Sequence, residues 1–85
     1  MASKFLSSHD TAPANDAFAI TPHDTNALAA VTRAIWVGTG GDLEVITASG
    51  TTVVFTSVPD GSLIPIRATH VKADNTDADD IVGLV

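Results

Sequence analysis

The chain has 85 residues, near the lower limit for one domain, so a doubly wound nucleotide-binding fold, at about 30 residues per βαβ unit, does not fit. Ten Asp and Glu against four Lys and Arg give a formal net charge of -6, and Lys4, Arg33, Arg67 and Lys72 form no basic stripe, so nucleic acid is excluded as a partner. With no cysteine there are no disulfides or thiolate metal sites, and no apolar run approaches the roughly 18 residues of a membrane span.

Residues 1–16, MASKFLSSHDTAPAND, are small, polar and without period, which predicts an extended N-terminal arm ahead of a single small β-domain over 17–85. The arm's large apolar groups are Phe5 and Leu6, with Phe18 just beyond it. Sequence of this kind does not offset its own ordering entropy. It is therefore either a frayed terminus or an arm that docks on a neighbouring subunit through Phe5, Leu6 or Phe18. It lacks the apolar centre of a signal peptide, so export by the usual route is not expected.

Phe18 and Ile20 alternate before Pro22, predicting a short strand. DTNALAAV offers Asp24 or Thr25 as a cap for one or two helical turns, too few to stand alone. From Arg33 onward the runs RAIWV, DLEVIT, TTVVFTSV, SLIPIRATHVKA and DIVGLV are separated by GTGG, ASG, PDG and DNTDAD, the spacing of a small all-β meander. The expected fold is a small antiparallel β-barrel or sandwich of about five to six short strands.

Two strands read as apolar on both faces. Ile35 and Val37 alternate with Ala34 and Trp36, while Val54, Thr56 and Val58 alternate with Val53, Phe55 and Ser57. Such strands are usually buried on both sides, which predicts a closed barrel, burial against copies of the chain, or both. In SLIPIRATHVKA the apolar phase shifts after Ala68, predicting a bulge or corner near Thr69, and Pro65 places that half at an edge or beside the bulge.

No catalytic constellation emerges. The cluster VGTGGDLE has Leu43 where a dinucleotide fingerprint needs its third glycine, no Lys-Ser/Thr pair, and alternation rather than a helix after it, so it reads as a bend between strands. DNTDADD, Asp74 to Asp80, is rich in oxygen ligands but lacks the tight-turn glycine and closing glutamate of a calcium loop, leaving a solvated acidic turn as the alternative to a bound cation. His9 and His23 sit in His-Asp pairs without a nucleophile nearby and read as surface histidines, and His70 is either another or lies on a strand facing a neighbouring subunit. Trp36 is either a core anchor, which predicts a loss of about 3 kcal/mol on truncation to Ala, or an interface anchor. No cofactor is expected.

In their order and spacing, AFAITPHDTNAL, RAIWVGTGGDLEV, VVFTSVPDGSLIPIRATHVKA and DIVGLV resemble the spike-base proteins of tailed bacteriophages and phage-like gene transfer agents, over about Phe18 to Val85. The resemblance implies a structural virion protein, not an enzyme, made in the host cytoplasm and placed on the outer surface of the capsid. It implies a homo-oligomer, a pentameric ring at the five-fold vertices in preference to a trimer. The partners would be the major capsid protein and a head fibre or spike. A trimeric cement protein is the structural alternative, and a monomeric ligand- or calcium-binding β-module the alternative of another class. Deleting residues 1–16 is expected to leave the β-domain folded but to weaken attachment to capsids or ring closure. Equal decoration of particles by the truncated and full-length proteins would reduce the arm to a frayed end.

Overall fold

A computed structural model describes residues 13–85, so Phe5, Leu6 and most of the expected arm lie outside the described residues. Seven strands follow in chain order: β1 (Ala17–Ile20), β2 (Ala34–Thr39), β3 (Gly41–Thr47), β4 (Thr52–Val58), β5 (Ser62–Ile64), β6 (Ala68–Lys72) and β7 (Asp79–Leu84). They form two antiparallel sheets, one ordered β1-β7-β2-β5 and the other β4-β3-β6. The all-β expectation holds, with seven strands in place of five to six.

The extra strand comes from SLIPIRATHVKA. Pro65 has no N–H to extend a ladder, and the chain leaves the edge strand β5 there and enters β6 in the other sheet at Ala68. The bulge expected near Thr69 is present. Ile46 pairs with His70 and Thr47 with Ala68, which leaves Thr69 as the additional residue.

The core lies between the inner faces. Ile35 and Val37 of β2, Leu43 and Val45 of β3, and Val71 of β6 are fully buried, with Ile20, Val58 and Ile81 around them. A second bulge adjusts β4: Ser57 takes a left-handed φ of 55° and its N–H donates to Asp42 Oδ1 at 2.9 Å. Strict alternation would send Val58 outward with Val54 and Thr56; the bulge turns it inward with Phe55. Within one chain the two sheets cover each other on one side only, and on the outer faces Val54 and Trp36 stay about two-fifths exposed while Ala34 and Glu44 are buried.

The glycine cluster carries the chain from one sheet to the other. A Cβ at Gly40 would overlap the Val58 carbonyl oxygen, and the Gly40 N–H donates to Asp60 Oδ1 at 2.6 Å. That donor is spent within the fold, as a bend requires. β3 begins at Gly41, one residue before the run DLEVIT.

Residues 21–33 form no helix. Their N–H groups bond to the free edge of β6 instead: His23 to Val71 O at 2.9 Å, Leu28 to Thr69 O at 2.8 Å and Thr32 to Ala68 O at 3.2 Å. The local turn is held by His23, whose Nδ1 accepts from the N–H groups of Thr25 and Asn26, both at 3.1 Å, a role expected of Asp24 or Thr25. An edge covered in this way does not recruit stray strands.

The segment ends at Thr32, which is fully buried. Its hydroxyl donates to Ile66 O at 2.8 Å and accepts from the Ala68 N–H at 3.0 Å, bridging the corner between β5 and β6. Thr32→Val keeps the shape and leaves both backbone groups without their partner. A loss of about 2–3 kcal/mol is expected in urea denaturation; a midpoint unchanged from wild type would show that the corner does not depend on the hydroxyl.

Candidate functional site

The surface with the strongest claim to function is the outer face of the four-stranded sheet. Because successive residues of a strand point to opposite faces, burial of Ile35, Val37 and Ile81 sends Trp36 and Val82 outward. The register pairs Leu63 with Trp36, Trp36 with Val82 and Val82 with Ala19, so these four residues form one row crossing all four strands. A second row, Ala34, Leu84 and Ala17, lies beside it. Neither row contains a charged residue.

Trp36 and Leu63 dominate this face at 42% and 55% exposure. The indole lies across the glycines: a Cβ at Gly61 would meet Trp36 Cη2 at 3.6 Å, and one at Gly38 would meet Nε1 at 3.7 Å. A large flat ring held on a rigid strand and flanked by residues without side chains has the character of an interface hot spot. The core-anchor reading of Trp36 gives way, since its inward neighbours Ile35 and Val37 fill the core and leave the indole outside.

The other residues singled out from the sequence lie elsewhere. Phe18 packs against the core, its ring over Gly83, where an added Cβ would meet Phe18 Cζ at 2.8 Å. His70 is half-buried on β6 of the other sheet, with Nδ1 2.8 Å from Thr69 Oγ1. The structure therefore does not bring Phe18, Trp36 and His70 onto one surface. Leu63 and Val82, which complete the row, carry no individual signal in the sequence; they become neighbours of Trp36 only through the pairing of β5 and β7 with β2.

Of the run Asp74 to Asp80, residues 74–78 lie in the connection between β6 and β7, and Asp79 and Asp80 open β7. The N–H groups of Asp77 and Ala78 both donate to Asp42 O, at 2.8 and 3.1 Å, and the Asp74 N–H donates to Asp24 Oδ1 at 2.9 Å. Among the described residues no three His, Asp or Glu side chains converge as a metal set. Glu44, opposite Lys72 on the outer side of the other sheet, is 7% exposed, and its Oε1 has no hydrogen-bond partner among the described residues.

No protein-family profile and no curated protein matches the chain. Among solved structures it is similar to a chain of one described as "Capsid of native GTA particle computed with C5 symmetry", GTA denoting a gene transfer agent. The TM-score is 0.81 and the identity 38%, and the match covers 91% of this chain and 89% of that one.

The geometry separates two neighbouring residues of β2. Ile35→Ala removes a fully buried side chain and is expected to cost about 3 kcal/mol, whereas Trp36→Ala, with its ring half outside, is expected to cost about 1.5 kcal/mol. Equal losses in denaturant would mark the indole as a core group.

Proposed function

Because the chain belongs to the family of phage-like capsid proteins represented by that gene transfer agent chain, we propose that it is a spike-base protein: a structural component on the outer surface of the capsid, arranged as a pentameric ring at the five-fold vertices. One side of the ring binds the major capsid protein, and the other receives a head spike or fibre. The role is mechanical and not catalytic. The observation that carries the reading is a 38% identical match over nearly the whole of both chains.

The physical chemistry of the surface supports the same role. A chain of net charge -6 repels other acidic proteins except where its surface is neutral. The outer face of the four-stranded sheet, with the Leu63–Trp36–Val82–Ala19 row, is such a surface, and it is the face by which the ring seats on the capsid.

Native mass spectrometry of the purified protein tests the assembly, and particles decorated in vitro test the location. The expected species has five times the 8.7 kDa mass of the chain, with density at the vertices in electron microscopy. A mass three times that of the chain, with density across the lattice, would give the cement reading instead. A protein that stays monomeric at high concentration and does not bind capsids defeats both.

A further inference from the structure

The few cations of the chain are not scattered. Among the described residues the Lys and Arg are Arg33, Arg67 and Lys72, and two of these three line one cleft of about 380 Å3 with Thr47, Ser49 and Pro65. The cleft lies at the end of the sandwich where β2 and β6 begin, between the corner after β5 and the hairpin joining β3 to β4. Local structure explains the convergence. The Thr32 hydroxyl bonds to both Ile66 O and the Ala68 N–H, which sets the residue after Thr32 beside the residue between Ile66 and Ala68. Those residues are Arg33 and Arg67, and the Arg67 carbonyl is fixed in turn by the Ala48 N–H at 2.9 Å.

The opposite end of the strands carries the opposite charge. Around the glycine bend, Asp60 Oδ1 accepts from the Gly40 N–H, Asp80 Oδ2 accepts from Thr39 Oγ1 at 2.9 Å, and Asp79 is the pairing partner of Thr39. Asp42 and Asp77 are joined there by the Asp77 N–H bond to Asp42 O. Five carboxylates thus stand at one end of β2 and the arginine cleft at the other, about 20 Å apart for a six-residue strand.

We propose that the Arg33–Arg67 cleft receives aspartates from the glycine-bend end of a second copy of this chain, so that copies join head to tail. Identical ends of such a molecule repel, whereas unlike ends attract, and a contact between unlike surfaces closes into a ring when the rotation per step divides the circle. A planar guanidinium holds a carboxylate through two parallel hydrogen bonds. Its five donors serve an intrachain partner and an incoming carboxylate together. The Thr47 and Ser49 hydroxyls line the same cleft. The apolar row is then left to the capsid, and the two contacts do not compete.

The inference rests on the ring reading, and charge reversal separates their fates. Sedimentation velocity would be run on the full-length wild type, on Arg33→Glu/Arg67→Glu, and on Asp77→Arg/Asp79→Arg, with Arg33→Gln/Arg67→Gln as a milder variant and circular dichroism melts to confirm folding. Each reversed variant is expected to raise the self-association constant for dissociation at least roughly tenfold. The equimolar mixture of the two reversed variants is expected to assemble again, in alternating order and therefore in even-numbered or open species. A wild-type ring that persists in both folded variants overturns the cleft contact and leaves the ring standing. Loss of inorganic phosphate binding in the arginine variants with ring mass unchanged assigns the cleft to a free anion and also overturns it. A monomeric wild type overturns the contact and the ring together.

Discussion

Much of this molecule depends on one buried hydroxyl. Thr32 is polar and without exposure to solvent, and its Oγ1 both gives a hydrogen bond to Ile66 O and takes one from the Ala68 N–H. An unmade bond there would strand polar groups away from water, at a cost comparable to a large part of the stability of a small domain. The hydroxyl therefore determines where the chain turns from the edge of one sheet into the other. It also ties the irregular segment over residues 21–33 to β6, and it fixes the positions of Arg33 and Arg67 on either side of the corner.

Most of the secondary structure is legible in the sequence because its signals are local. Pro59, Asp60 and Gly61 mark a turn, Leu43 and Val45 alternate with Glu44, and Pro65 with the phase shift after Ala68 announces the corner and its bulge. Sheet membership is not local. That β7 lies between β1 and β2, or that Leu63 and Val82 flank Trp36, follows from pairing between residues far apart in the chain. Trp36 illustrates the limit: alternation shows that it faces away from Ile35 and Val37, but which face meets the second sheet is settled by packing. Ser57 is a second case, since a left-handed φ at a non-glycine residue is not announced by its type, and without it Val58 would face solvent.

The distribution of charge is as informative as the fold. An acidic chain that must associate has to keep some surface neutral and some basic, and here the two needs fall on different parts of one sandwich. The neutral part is the pair of rows across the outer face of the four-stranded sheet, made of alanines, aliphatics and one indole, with Asp80 at its border beside Gly38. The basic part is the cleft at the end of the strands. Glu44, buried with an oxygen unpartnered among the described residues, sits on the remaining face and belongs to neither.

The position of β7 also sets an order of events in time. It is the central link of its sheet, paired on one side with β1 and on the other with β2, so those two strands have no direct partner in each other. While the chain is being synthesised, the sheet that carries Trp36 stays incomplete until residues 79–84 have been made. Pairing β7 with β2 closes a loop of roughly 40 residues and with β1 one of roughly 60, whereas β2 and β5 pair across only about 25, and the more distant pairings form later and more slowly. The complete row from Ala19 to Leu63 therefore requires β7, while its most exposed pair, Trp36 and Leu63, needs only the pairing of β2 with β5.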